Sequence, residues 1–331
     1  MGEIGDTVMT LPLACALRQH FPDAHIAWAV EKKSAPIVRH HVAINDVIAL
    51  PEGWQSSPSM LRQTRTVLRQ HRFQVAIDCQ GTIRTALACR LSGAAKRIGF
   101  DRSYANRCSR LLSNVHVTPT STHLVDRCLE LLGPLGVHAP TTQWQLPLSQ
   151  QARTWAGRWR RTIHSDRLAV LNPGGTLPSK LWQTERFAET ACYLSHRYGY
   201  QSVAIWRTTS ERSMAEKIVD AAEGNATLAP EMDLTHLAAM IETADLYLSG
   251  DTGPLHLSVA VGTTSIGLYG STRPSDSGPY GQTAIAKAYV PHGQTSAFPS
   301  PAMRAIDVAD VCRVIDKIQA KRAAFIKTSA A

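Results

Sequence analysis

The residues best suited by type and spacing to chemistry lie between Ser249 and Gly281, where the glycine-rich turn Gly250-Asp251-Thr252-Gly253-Pro254 separates two apolar runs. Leu246-Tyr247-Leu248 reads as a short buried strand. The turn restarts a helix whose apolar face is Leu255, Leu257, Val259 and Ala260, and Thr264–Tyr269 reads as a second buried strand. Loops of such a strand, helix, strand unit gather at the carboxyl ends of a parallel sheet, where open α/β sheets take their ligands. Gly253 permits close backbone approach, the N–H groups that open the helix can hold an anion, and Thr252 adds a hydroxyl. Asp251 would repel an anion, which leaves it for ligand hydroxyls or for capping the helix. His256 reads equally as a core histidine or a site residue. Ser271-Thr272-Arg273 is not a P-loop, because the Gly-Lys-Ser/Thr ending is missing.

Two further sets carry charge in a pattern. Gly2-Glu3-Ile4-Gly5-Asp6-Thr7 reads as a glycine turn feeding a helix from Thr7 to His20, with Val8, Leu11, Ala14 and Cys15 on its apolar side. Asp6 then stands at the helix start, as an N-cap or as a carboxylate open to a ligand. Arg62, Arg65, Arg69 and Arg72 recur at three- and four-residue spacing and would form one basic helix face, a solvated surface or a site for an acidic partner. The seven cysteines are scattered, with neither C-x-x-C nor His-paired spacing, and read as reduced core residues; no metal site is expected.

The elements that must position these residues alternate along the chain. His25–Val30, Asp46–Leu50, Phe73–Asp78 and Lys96–Phe100 read as strands, with helices over Thr7–His20, Ser34–His41, Pro58–His71 and Arg84–Leu91 between them. Pro134, Gly136, Pro140 and Pro147 mark a connector. Strands resume at Leu168–Leu171, Ser202–Trp206, Leu246–Leu248 and Thr264–Tyr269, and a last helix over roughly Asp307–Phe325 has an apolar side made by Val308, Val311, Cys312, Ile315 and Ile318. The pattern predicts an α/β protein of two doubly wound, Rossmann-like domains, residues 1–150 and 151–331, with a cleft between them. A glycine turn of the Gly5-Asp6 kind normally follows a central buried strand. None precedes it in this sequence, so a first amino-terminal strand is expected to be missing, through a late-assigned start or a truncated gene.

Composition bounds the partners. The 331 residues carry a net charge of +9 with 13 histidines, which favours an anionic partner. No apolar run is long enough to span a membrane, and no signal segment is read at the start. A cytoplasmic protein is expected. No G-x-G-x-x-G follows a strand, which disfavours a dinucleotide dehydrogenase, and groove-reading or aromatic motifs that would make the charge a nucleic-acid signal are missing.

Four spaced blocks resemble one family: Gly5-Asp6 with Thr10-Leu11-Pro12; Ile77-Asp78-Cys79-Gln80-Gly81 with Arg84; Asn172-Pro173-Gly174-Gly175 with Lys180-Leu181-Trp182; and Asp251-Thr252-Gly253-Pro254-Leu255-His256 through Gly278-Pro279-Tyr280-Gly281. In this order they are similar to glycosyltransferase family 9, the ADP-heptose:lipopolysaccharide heptosyltransferases, and the Asp78-Cys79-Gln80-Gly81 block most resembles the heptosyltransferase I branch. The resemblance implies a GT-B fold, with the acceptor on the amino-terminal domain and the nucleotide sugar on the carboxyl-terminal one. It implies metal-independent, inverting transfer of heptose from ADP-L-glycero-D-manno-heptose to Kdo on lipid A, with no cofactor. Asp6 falls at the family's general base, since inversion needs a carboxylate to take the acceptor hydroxyl proton. Lys180 falls at its phosphate-contacting lysine, where a cation offsets charge on the departing diphosphate. Asp251, Thr252, Gly253 and His256 fall in the donor turn, Asp251 toward sugar hydroxyls. Trp206, read as a strand end, and Glu211 are expected beside adenine or ribose.

On the acceptor side the resemblance gives Arg62, Arg65 and Arg69 a reason to exist, with Arg102 and Arg107 assisting: a Kdo-lipid A acceptor is acidic and lies at the inner membrane face. Peripheral contact with that membrane is expected, and the Arg153–Arg161 segment with Trp155 and Trp159 is a second place for it or an interdomain helix. The last helix can return to the amino-terminal domain. Two other readings stand beside the transferase: a sugar-nucleotide epimerase of the same architecture, which would bind UDP, and an inactive truncated member.

Overall fold

The computed structural model describes residues 4–102, 104–290 and 298–329. The chain forms two compact units, Met1–Pro147 and Leu148–Ala331.

In the first unit, helix α1 runs from Ile4 to His20 and is buried along most of its length. Its Pro12 has no N–H to offer Val8, and the freed Val8 carbonyl is taken by the Trp144 indole at 3.1 Å. Strands β1 (Ala27–Glu31) and β2 (Asp46–Leu50) pair in parallel, Ala27 opposite Asp46. A second parallel sheet holds β3 (Val75–Ile77), β4 (Lys96–Phe100) and β5 (Val115–Val117) in that order. Between the two sheets lies a cavity of about 760 Å³, lined by β1, β3, α1 and the helices Pro58–Gln70 and Ile83–Ser92.

In the second unit one six-stranded parallel sheet runs β11-β10-β9-β6-β7-β8: β6 (Arg167–Asn172), β7 (Tyr200–Ala204), β8 (Ala226–Leu228), β9 (Leu246–Gly250), β10 (Ser265–Leu268) and β11 (Thr283–Ile285). Strands β6 and β9 are buried almost throughout, which is why they read as unbroken apolar runs. Strand order reverses between β6 and β9, the crevice where open α/β sheets bind ligands. Trp182 is buried under the sheet, its indole donating to the Ile306 carbonyl at 2.9 Å and its ring edge-on to Phe187. The final helix, Val308–Ser329, packs within this unit. Val311 and Ile315 enter the core, and Gln319 and Arg322 reach the Tyr200 hydroxyl at 2.8 and 2.9 Å.

Candidate functional site

The second unit's charged residues meet at the β6/β9 reversal. The Asn172 amide, at the end of β6, donates to the Ser249 hydroxyl at 3.2 Å and the Thr252 hydroxyl at 3.1 Å, tying the two strand ends together. Lys180 sits on a single 3-10 turn, Pro178–Lys180, and its carbonyl lies so close to Gly250 that a Cβ there would approach it to 2.5 Å. Only glycine admits that approach. Lys180 Nζ donates to Asp251 Oδ2 at 2.6 Å, Thr272 Oγ1 donates to the same oxygen at 2.7 Å, and His256 Nε2 stands 3.5 Å from Oδ1.

Asp251 is 8% exposed. Burial pushes its carboxyl upward, but the His256 hydrogen bond and the Lys180 and His256 charges outweigh burial and hold it far below the usual carboxylate range. The lysine read from sequence as a loop cation is therefore one half of a part-buried ion pair, and Asp251 is its anchor. Thr252, not Asp251, is the N-cap of the Gly253–Ala260 helix; its side chain faces Asn172 and Ser249 and makes no cap bond. The helix opens with N–H groups that no capping side chain covers, beside a lysine, which suits an anion. His256 is buried and belongs to the Asp251 cluster.

Glu211 and Trp206 have structural duties. Glu211 Oε2 accepts from the Arg207 and Thr208 N–H groups at 2.9 and 3.1 Å in a capping box, and its carboxylate packs against Gly174, where a Cβ would lie 2.6 Å away. It thus borders the Asn172–Gly175 turn. Strand β7 stops at Ala204, so Trp206 lies beyond the strand end; its indole donates to Ala229 and Arg212 lies over its ring.

In the first unit, Asp6 is inside the first turn of α1, not in a flexible turn before a helix starting at Thr7; Gly2 and Glu3 lie outside the described residues. A carboxylate there is favoured by the positive helix end. Gln80 Nε2 donates to Asp6 Oδ2 at 2.8 Å. Gln80 is presented by a tight turn after β3, in which buried Asp78 accepts from the Gln80 and Gly81 N–H groups, both at 3.1 Å, and Gly81 takes φ +64°. Sequence reasoning quoted Gln80 in a motif but gave it no role; only folding brings it to Asp6, 74 residues away.

The basic stripe is shorter than its spacing suggested. Arg62, Arg65 and Arg69 are exposed on the helix Pro58–Gln70, while Arg72 falls after the helix end with φ +50°. Arg69 packs beside Gly93, and none of the three pairs with an acid among the described residues. Arg102 and Arg107 are also exposed, Arg107 opening a short helix. The Gln150–Arg160 helix turns Trp155 onto Ala152, Ala156, Ala239 and His236, and Arg153 forks onto Glu242 at 2.9 and 3.0 Å. Trp159 stacks on Trp155, and both rings are half-buried. One group with metal-ligand potential occurs among the described residues, His25, Asp46 and His71, at the amino ends of β1 and β2.

The model of glycosyltransferase family 9 (heptosyltransferase) matches residues 61–297. The chain belongs to glycosyltransferase family 9. This family 9 chain is similar to lipopolysaccharide heptosyltransferase 1 of Escherichia coli K12, 28% identical over 295 residues that cover 85% of this chain and 89% of that one. It is similar as well to the lipopolysaccharide core heptosyltransferase OpsX of Haemophilus influenzae, 25% identical over 288 residues, 85% and 80% of the two. In structure it resembles E. coli heptosyltransferase WaaC with ADP, TM-score 0.75 at 22% identity, over 97% of this chain and 99% of that one. The fold is thus the GT-B arrangement of heptosyltransferases, and membership makes the chain a glycosyltransferase rather than an epimerase. Among the described residues no helix is long and apolar enough to cross a membrane.

Proposed function

We propose that this glycosyltransferase moves heptose from ADP-L-glycero-D-manno-heptose to the Kdo of a lipid A inner core, with inversion and without a metal. The Lys180–Asp251 pair at the β6/β9 reversal, beside an uncapped helix start, is the observation that carries the reading. Lys180 and the Gly253 helix start take the diphosphate, and Asp251 holds Lys180 while a remaining lone pair accepts from a sugar hydroxyl. Glu211, bordering the Asn172–Gly175 turn, and Trp206 lie toward the nucleoside. The names of the similar proteins support heptose as the sugar and lipopolysaccharide as the acceptor.

In the reaction, the acceptor hydroxyl oxygen attacks the anomeric carbon, the bond from that carbon to the diphosphate oxygen breaks with its electron pair, and ADP leaves. Asp6 takes the hydroxyl proton, and Gln80 fixes the orientation of its carboxylate. Lys180 meets the charge that grows on the leaving diphosphate. Arg62, Arg65, Arg69, Arg102 and Arg107 receive the acidic acceptor, which places the protein peripherally at the cytoplasmic face of the inner membrane.

Calorimetry tests the donor side. ADP-heptose is expected to bind and UDP-sugars not to, and Lys180→Met is expected to weaken ADP-heptose by about 10- to 100-fold, the worth of a hydrogen bond to a charged group. Equal binding of the two nucleotides, or unchanged affinity in a folded Lys180→Met protein, would contradict the reading.

A further inference from the structure

A trio of metal-ligand side chains stands in the first unit, at the end of β3 away from Gln80 and Asp6. His25 precedes β1, Asp46 opens β2, and His71 caps the carboxyl end of the helix Pro58–Gln70 ahead of β3. Both imidazoles turn to one carboxylate oxygen: His25 Nε2 is 2.8 Å and His71 Nδ1 3.6 Å from Asp46 Oδ2. The three ligand atoms all lie within 4.8 Å of one another. Around a tetrahedral ion held by bonds of ~2.0–2.2 Å, ligand atoms stand about 3.4 Å apart, so the two contacts bracket the spacing an ion requires. No short sequence spacing announces such a trio, because each ligand comes from a different element.

The backbone around the trio is firmly held. Strand register sets Asp46 opposite Ala27, and Asn45 clamps the start of β1: its N–H donates to the Ile26 carbonyl at 2.8 Å, and its side-chain oxygen accepts from the Ile26 N–H at 2.9 Å. Arg18 donates to the Pro22 and Ala24 carbonyls at 2.6 and 2.8 Å, fixing the stretch that delivers His25. The His71 ring stacks on Phe73, with centroids 5.1 Å apart and planes 5° from parallel, and Phe73 packs on the cluster of Ile48, Leu50, Trp54 and Leu68. The side chains of His25, Asp46 and His71 are 55%, 47% and 23% exposed, so an ion reaches them from solvent and keeps water on its open position.

We propose that His25 Nε2, Asp46 Oδ2 and His71 Nδ1 bind a divalent transition-metal ion, zinc in the first place, that braces the first unit. Two imidazoles and a carboxylate are nitrogen and oxygen donors of the kind that hold zinc, whereas magnesium and calcium call for oxygen sets. The ion joins three elements at one point. It therefore ties the carboxyl end of the helix carrying Arg62, Arg65 and Arg69 to the amino ends of β1 and β2. Lying at the opposite end of β3 from Gln80, it takes no part in the proposed transfer, which stays metal-independent.

The test titrates cobalt(II), which takes zinc sites and absorbs visibly, into the full chain. One ion per chain is expected, with a visible ligand-field band that excess zinc bleaches and with no thiolate-to-metal band, because the trio holds no cysteine. Asp46→Asn and His71→Ala should each weaken the ion by at least about tenfold, while His196→Ala, at an exposed position of the second unit, should leave it unchanged. His71→Cys should restore binding and add the thiolate band, a result that a merely structural role for His71 does not produce. Protected amides in β4 report that the first unit of each variant is folded. A visible band that survives Asp46→Asn in a folded protein, a thiolate band in the native chain, or no band at all would overturn the proposal and leave His25 and Asp46 an ordinary ion pair.

Discussion

Asp251 holds its charge by contact, not by solvent. Its carboxyl is depressed in the folded protein relative to an unfolded carboxylate near pH 3.9, so it contributes stability that is present in full above about pH 4 and lost as the pH falls below that. Thermal unfolding of the second unit should therefore drop more steeply with pH below 4 in the native protein than in Asp251→Asn; parallel curves would show that the ion pair contributes nothing. Both members of the pair were legible as residues. Asp251 stood in a glycine turn and Lys180 in a motif, but nothing local predicts that residues 71 positions apart share a 2.6 Å contact. Thr272 and Gln80 stayed unread for the same reason: a hydroxyl or an amide acquires a function only when folding brings a carboxylate to it. Glu211 was read toward a ligand, whereas its first obligation is the capping box, a pattern that Thr208 and Glu211 do spell out locally.

At the scale of elements, strand-like runs located β2 and β4 to the residue, β4 buried or half-buried at all five positions and β2 at all but Ala49. Strands β5, β8 and β11, three residues each, were not read, whereas the equally short β3 was found inside the longer run Phe73–Asp78. The start of α1 moved upstream to Ile4, which changes Asp6 from a cap to a first-turn residue. Helix pattern alone does not say what Trp155 and Trp159 meet, because an aromatic face that packs on protein and one that meets a membrane have the same spacing; in the fold Trp155 packs on Ala152, Ala156 and His236. The basic face of Pro58–Gln70 is different, being exposed and without acidic partners. If it meets an acidic lipid surface as proposed, replacing Arg62, Arg65 and Arg69 by Gln should weaken flotation with anionic vesicles by about 100-fold at low salt, and leave neutral vesicles unaffected. Unchanged flotation would make the stripe ordinary surface.

For the whole molecule, the alternation of strands and helices and four ordered motifs were enough to read the fold and family, which the match over residues 61–297 establishes. On the proposed roles Lys180 and Asp251 of the second unit serve the donor and Asp6 of the first takes the proton, so the proposed reaction is tested on the whole chain. The most direct measurement is mass spectrometry of a Kdo-lipid A acceptor incubated with ADP-heptose and the chain. One heptose per acceptor with equal release of ADP is predicted, slowed by about 10²- to 10⁴-fold in Asp6→Asn at unchanged donor affinity. Failure to transfer heptose while binding ADP-heptose, or full-rate transfer by Asp6→Asn, would contradict the account.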